Sequence, residues 1–249
     1  MNDVYYSIII PIKDEEENIR DLYNEINGAM NRIDKGWECI WIDDGSEDKS
    51  LEILKELSKK DKRHKFISFE QNMGQSAALY AGFKFARGKI FLTIDGDGQN
   101  DPNDFLLLLD VMKQKKVDFV TGYRKNRQDS NIKKISSKIG NFFRNLITGK
   151  TVKDAGCAIK VFKRECVEFL PPFKGMHRFL ATIIHHQGFL WAEVPVTHRP
   201  RKKGTSKYNI SNRLWVGIMD LIGIWWFKKR TFRCEISEIS KELIDEKDF

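Results

Sequence analysis

Acidic side chains recur where apolar runs end in this sequence. Ile90-Phe91-Leu92-Thr93-Ile94 leads into Asp95-Gly96-Asp97-Gly98-Gln99, the run Ser7 to Ile12 leads into Asp14-Glu15, and Trp37 to Ile42 leads into Asp43-Asp44-Gly45-Ser46. Short continuous apolar runs mark strands buried on both faces. In open α/β sheets ligands bind beyond the carboxyl ends of such strands. Carboxylates gathered on that rim repel one another and call for a cation or a donor-rich ligand. Two carboxylates and a side-chain carbonyl at alternate positions, Asp95, Asp97 and Gln99, suit one hard cation, Mg²⁺ or Mn²⁺, completed by waters and a diphosphate. Aspartates after strands also cap helices. That alternative fits Asp43-Asp44 better than Asp95 and Asp97, because Pro102 delays the next helix.

Other phosphate and metal chemistries are excluded by spacing. An EF-hand starting at Asp95 needs Gly at its sixth position and Glu at its twelfth, where Asn100 and Leu106 stand. Neither G-x-G-x-x-G after the first strand nor G-x-x-x-x-G-K-[ST] occurs. Cys39, Cys157, Cys166 and Cys234 form no C-x-x-C pair, which argues for a reducing compartment and against a zinc site. Two clusters of cations and hydroxyls offer phosphate-binding forks: Gly122-Tyr123-Arg124 with Arg127, and Arg201 to Tyr208, which contains Ser206 and Lys207.

The elements that must position these groups alternate. Strands are read at Ser7–Ile12, Trp37–Ile42, Phe66–Phe69, Ile90–Ile94 and Val117–Thr121. Helices are read from about Glu15 to Ile33, through Leu51–Leu57 with Ser46 as N-cap, from Gln75 to Arg87 with a stop at Gly88, and from Pro102 onward. This order predicts an α/β fold with a mostly parallel sheet flanked by helices. The chain has 249 residues, enough for one sizeable domain. Its net charge of +8 suits a phosphorylated ligand or an anionic membrane face. Aromatic residues do not interleave the basic clusters, so no nucleic acid is expected as a partner. Residues 130–150 read as a basic amphipathic helix. Leu214 to Phe227 is almost wholly apolar but reaches only roughly 21 Å, short of the ~30 Å hydrocarbon core. With Trp215, Trp225 and Trp226 beside Lys228-Lys229-Arg230, it reads as an interfacial anchor, with a buried core helix or a dimer interface as the alternative. Met1-Asn2-Asp3 shows no signal-peptide pattern, so a cytoplasmic protein, peripheral on the membrane, is expected.

Taken in order, Ser7 to Glu15, Asp43-Asp44-Gly45-Ser46, Asn72-Met73-Gly74-Gln75 and Asp95 to Gln99 resemble glycosyltransferase family 2, in its dolichol-phosphate mannosyltransferase and bacterial polyprenyl-phosphate glycosyltransferase branch. The likeness covers about residues 5 to 230. It implies a GT-A, Rossmann-like fold and inverting transfer of a hexose from a UDP- or GDP-sugar to a polyprenyl phosphate. It further implies that Pro11, Asp14, Glu15, Asp43, Asp44 and Asp95 line the nucleotide pocket, and that Asp95, Asp97 and Gln99 handle metal and diphosphate. Asp97 and Asp154 would be catalytic, with Asp154 orienting the acceptor. Arg124, Arg127, Arg201, Ser206 and Lys207 would bind the lipid phosphate. The family usually has Asn at the position of Asp14. The implied layout is a catalytic domain over 1–230, with a nucleotide-sugar half at 1–125, an acceptor half at 126–212 and an interfacial helix at 213–230, followed by a charged tail at 231–249. Members of this branch often carry transmembrane helices after the catalytic domain, so this chain is expected to rely on its interfacial helices or on a separate membrane protein. A family member acting on a sugar hydroxyl, with Asp154 as general base, is the alternative. The processive Q-x-x-R-W signature is broken here, with Leu190 at the Arg position of Gln187–Trp191.

Overall fold

The computed structural model describes residues 3–125, 152–201 and 213–231. The elements are β1 (Val4–Ile12), α1 (Ile19–Met30), β2 (Gly36–Asp43), α2 (Ser50–Lys60), β3 (His64–Ser68), α3 (Gln75–Phe85), β4 (Ile90–Thr93), α4 (Asp104–Lys115), β5 (Phe119–Arg124), β6 (Lys160–Lys163), α5 (Leu180–His186), β7 (Trp191–Val196) and α6 (Arg213–Arg230). The seven strands lie in the order β3-β2-β1-β4-β6-β5-β7. All pairings are parallel except those of β6, which runs antiparallel to both β4 and β5. Because β6 is reversed, the turn that precedes it lies at the carboxyl ends of β4 and β5.

Period-two alternation sorts β1 between two cores. Ile8, Ile10 and Ile12 pack with α1, α2 and α4 through Leu22, Ile26, Leu54 and Phe105. Ile9 packs on the other face with Ala78, Leu79 and Phe83 of α3, Phe91, Phe162 and the buried residues of α5. Both faces are covered, which is why the strand reads as an unbroken apolar run. Several expected boundaries move. Helix α1 starts at Ile19, after the hydrogen bond from the Asn18 N–H to the Glu15 carbonyl. Helix α3 ends at Phe85, before Gly88, whose N–H donates to Ser7 Oγ instead of capping the helix. Ser46 does not cap α2. That helix begins at Ser50, and Ser46 Oγ accepts the Asp14 N–H. The elements β6, α5 and β7 add to those expected from sequence. Pro195 is accommodated because β7 is an edge strand. The basic segment 130–150 lies outside the described residues.

Two polar centres brace strands β1 to β3. Glu38, buried in β2, accepts from Ser7 Oγ, Lys65 Nζ and the Arg87 N–H at 2.8, 2.6 and 2.7 Å. Burial alone would raise its carboxyl, but these donors outweigh burial and hold it below its ordinary value. His64, buried at the start of β3, receives the Trp41 indole N–H at Nδ1 (3.1 Å), while Asn27 Nδ2 stands 3.2 Å from Nε2. Burial, with Arg63 adding a smaller push against the opposing Asp61, lowers His64 to about 4. In the unfolded chain the imidazole keeps its ordinary value, so as pH falls from about 6.5 toward 4 the unfolded state gains the proton first and stability is lost. We expect this residue to remove on the order of 3 kcal/mol across that window. Denaturant unfolding at pH 7 and pH 5 should show His64→Gln losing that part of the pH dependence, and an unchanged dependence would contradict the assignment.

Candidate active site

The loops after β1, β2 and β4 and the turn before β6 meet on one rim. Asp14 occupies the left-handed region at φ 48°. Asn and Asp tolerate that conformation better than most residues. The Asp14 Oδ1 accepts the Glu47 N–H at 2.7 Å, tying the β1 loop to the β2 loop. Asp43 accepts from the Ser46 N–H and from Ser68 Oγ. Asp44 is buried and receives the Met73 and Gly74 N–H groups at 2.7 and 2.9 Å. Burial raises its carboxyl, opposed by those two amides. Gly74 then launches α3 from a φ of 91°, which glycine adopts without steric cost. The first residue of that helix, Gln75, donates from Nε2 to Asp95 Oδ1 at 2.8 Å. Lys13, Asp43, Ser46, Ser68, Gln71 and Asn72 border a cavity of about 400 Å³ at the ends of β1, β2 and β3.

Asp95 follows β4 into the adjoining part of the rim. Gly96 lies so close to Ile12 and the Pro11 carbonyl that a Cβ would clash, which brings the β1 and β4 loops into contact. Burial, reinforced by Asp97 and Glu15 and opposed by Lys160 and Arg124, pushes the Asp95 carboxyl up to about 7. Asp97 Oδ1 accepts the Gln99 N–H at 3.1 Å, and the Gln99 amide donates to the Arg199 carbonyl at 3.3 Å. Glu15 is likewise raised by burial, against hydrogen bonds from Asn18 and Arg201. Its contacts to Asn18 Nδ2 and Arg201 Nη2 are both 2.6 Å. Arg124 grips Asp154 through two points, Nε to Oδ2 at 2.7 Å and Nη2 to Oδ1 at 2.9 Å. The two side chains are only 15% and 16% exposed, so this charge-assisted fork is largely shielded from water.

Of the site residues expected from sequence, Pro11, Glu15, Asp95 and Asp97 thus share one rim, and Arg124, Asp154 and Arg201 reach it from the end of β5, the turn before β6 and the segment after β7. Asp14, Asp43 and Asp44 spend their described hydrogen bonds on the neighbouring loops, and Gln99 faces Arg199. Arg127, Ser206 and Lys207 lie outside the described residues. The donor set fits a hard cation. Asp95 and Asp97 are oxygen donors whose mutual repulsion a divalent ion would relieve, and Mg²⁺ typically needs only one or two carboxylates plus substrate phosphates. Among the described residues no three His, Cys, Asp or Glu side chains form a ready-made metal cage. Sequence reasoning assigned nothing to Gln75 or to Lys160. Gln75 sits inside a segment quoted for its family likeness, and Lys160 interrupts the apolar run Ile159 to Phe162, so each left a readable signal.

Residues 7–170 match the model of glycosyl transferase family 2. The chain belongs to glycosyltransferase family 2. It is 33% identical over 229 residues to dodecaprenyl-phosphate galacturonate synthase of Rhizobium johnstonii, covering 90% of this chain and 67% of that one. It is 34% identical over 204 residues to undecaprenyl-phosphate 4-deoxy-4-formamido-L-arabinose transferase of Pectobacterium atrosepticum, covering 82% of this chain and 62% of that protein. The fold is of the GT-A type. It superposes on glucosyl-3-phosphoglycerate synthase from Mycobacterium tuberculosis in complex with Mn²⁺, UDP and phosphoglyceric acid with a TM-score of 0.66 at 18% identity, over 92% of this chain and 80% of that one. It matches mannosyl-3-phosphoglycerate synthase from Rubrobacter xylanophilus with a TM-score of 0.64 at 13% identity, over 96% and 80% of the two chains. In this glycosyltransferase, removing either partner of the Arg124–Asp154 pair leaves a largely buried charge without its fork. A double-mutant cycle with Arg124→Met and Asp154→Asn is expected to give a coupling of about 1–2 kcal/mol in thermal or denaturant unfolding. Strict additivity would mean the pair is not formed in solution.

Proposed function

We propose that this transferase moves a sugar from a nucleotide-sugar onto a polyprenyl phosphate, with inversion, at the cytoplasmic membrane face. The observation that carries the reading is the arginine–carboxylate arrangement. Arg124 and Arg201 stand at the rim that holds Asp95, Asp97 and Glu15, and Asp154 is already engaged by Arg124 at both oxygens. A phosphate acceptor arrives ionised and asks for cations, while a sugar hydroxyl asks for a free general base. Asp154 in a two-point ion pair favours the former. The relatives named above support the same acceptor class. Their names carry a galacturonate and a 4-deoxy-4-formamido-arabinose, so the nucleotide-sugars to be tried on this chain include these as well as the plain hexose expected from sequence.

In this reading Pro11, Asp14, Glu15, Asp43 and Asp44, with the cavity beside them, take the nucleoside. Asp95 and Asp97 would hold Mg²⁺ or Mn²⁺, with Gln99 beside them. The ion, when bound, would neutralise charge growing on the departing diphosphate. Arg201 exchanges Glu15 for acceptor phosphate, and Arg124 turns the Nη1 side of its guanidinium to the phosphate while Asp154, holding the Nε–Nη2 edge, fixes its plane. Arg127, Ser206 and Lys207 would complete that cluster. The protein's main task is to hold the phosphate oxygen in line with the anomeric carbon. Transfer to polyprenyl phosphate from a panel of nucleotide-sugars, read as organic-extractable label, tests the reading. Label appearing only on a soluble sugar acceptor would sink it. Asp97→Ala should keep the melting transition yet lose at least about 100-fold in turnover.

Helix α6 supports the membrane side of the proposal. Leu221, Ile224 and Phe227 pack on the core, while Met219, Ile222, Trp225 and Trp226 are 44–66% exposed on the rest of the helix. Lys228, Lys229 and Arg230 form its last turn. No helix among the described residues is long and apolar enough to cross a membrane. Apolar side chains, tryptophans and a terminal cation cluster together suit an anionic bilayer surface, and a separate membrane protein is the alternative partner. Replacing Trp225 and Trp226 together by Ala should weaken sedimentation with phosphatidylglycerol vesicles by about tenfold or more. Binding unaffected by the double replacement would remove α6 from the membrane contact.

A further inference from the structure

Lys160 is a lysine in the middle of a sheet. It is 4% exposed, begins β6, and stands between Thr93 of β4 and Thr121 of β5, which are also buried. Its chain neighbours Ile159 and Val161 are fully buried. An ammonium in such a place is costly unless it is hydrogen-bonded and opposed by negative charge. Both conditions are met on one side. The Nζ donates to the Cys157 carbonyl, in the turn closed by the Cys157 N–H to the Asp154 carbonyl at 3.2 Å. From the neighbouring strand Thr93 Oγ1 donates to the Ala158 carbonyl at 2.7 Å. The turn from Asp154 to Ala158 is therefore held by two side chains, Lys160 closing it onto the start of its own strand β6 and Thr93 tying it to the end of β4, and it carries the carboxylate that grips Arg124. Among the charges whose fields reach Lys160 are Asp95 and Asp154.

We infer that Lys160 is a positioning residue for glycosyl transfer: its ammonium clamps the Asp154–Ala158 turn onto the start of β6, beside the end of β4, and is the buried counter-charge between Asp95 and Asp154, so that it sets the spacing between the diphosphate-handling carboxylates and the acceptor-phosphate arginine. This inference rests on the reading proposed above. Misplacement of the two reacting partners by about 1 Å can cost on the order of 100-fold in rate. Nucleotide binding uses only the donor side of that spacing. Loss of the clamp should therefore fall on turnover and spare nucleotide affinity.

The test uses the full chain carrying Lys160→Met, which keeps the length and removes the charge, and Lys160→Arg, which restores a cation. Turnover, KM for both substrates, calorimetric affinity for the donor's nucleoside diphosphate with Mn²⁺, and melting temperature are measured. Lys160→Met is expected to lose about 30- to 100-fold in kcat with nucleotide affinity within about threefold of wild type, and Lys160→Arg to recover to within about fivefold. Wild-type kcat in Lys160→Met, a parallel loss of nucleotide affinity and kcat, or a folded Lys160→Arg as slow as Lys160→Met would each overturn the inference. If Lys160→Met loses its melting transition, Thr93→Val decides, since it cuts the other pin without altering charge. A fall of about fivefold or more in kcat at constant nucleotide affinity supports the clamp, and unchanged kcat removes it. Wild-type enzyme that fails to label polyprenyl phosphate defeats the functional reading instead, and the variants are then compared on the acceptor that wild type does use.

Discussion

Like charge held close together on one rim is the constraint from which the rest of this structure follows. Asp95 and Asp97 follow β4 and Glu15 follows β1; Asp97 and Glu15 raise the cost of ionising Asp95, and Asp97 that of ionising Glu15. Burial sharpens the effect, because a carboxylate out of water loses solvation that its neighbours cannot replace. Asp95 expresses the conflict most strongly, with its carboxyl pushed up to about 7. A folded chain sustains such a site only when positive charge is delivered to it, either by its own side chains or by what it binds.

Most of the protein's own positive charge arrives from the second half of the fold. The reversed strand β6 is the device that brings it. A parallel strand at that place would enter the sheet from the opposite edge and carry its preceding turn away from the rim. Running antiparallel, β6 starts at the rim with Lys160 and sets the Asp154–Ala158 turn against Asp95 on one side and Arg124 on the other. Arg201, just beyond β7, closes on Glu15. Acid comes mainly from the first half of the chain and cation mainly from the second, and they meet only in the folded sheet.

The two cores explain which parts of this are legible in the sequence. β1 and the start of α3 can be read because an unbroken apolar run and an alanine-rich, helix-favouring stretch are local signals. β6 escapes such reading because it is only four residues long and both begins and ends in lysine, which argues against a buried strand unless the site's electrostatics are known. Ser46 reads as a helix cap on local grounds, since a serine before a helix is a good one. The Asp14 amide, 32 positions away, claims its hydroxyl instead. Helix α6 is legible as apolar and too short to span, whereas its division into a packed face and an exposed face depends on what α5 and the second core present to it.

From the order of residues alone came the alternating α/β architecture, the acidic strand ends, the basic clusters and the likeness to a glycosyltransferase family, because each is written in stretches of a few neighbouring residues. Tertiary structure alone decided which acids and cations are partners. Arg124 with Asp154, Arg201 with Glu15, Gln75 with Asp95 and Thr93 with the turn after Asp154 are settled by strand order and strand direction. Charge carries no label in sequence for the distant group it will meet. In a site built from opposing charges, those meetings are the chemistry.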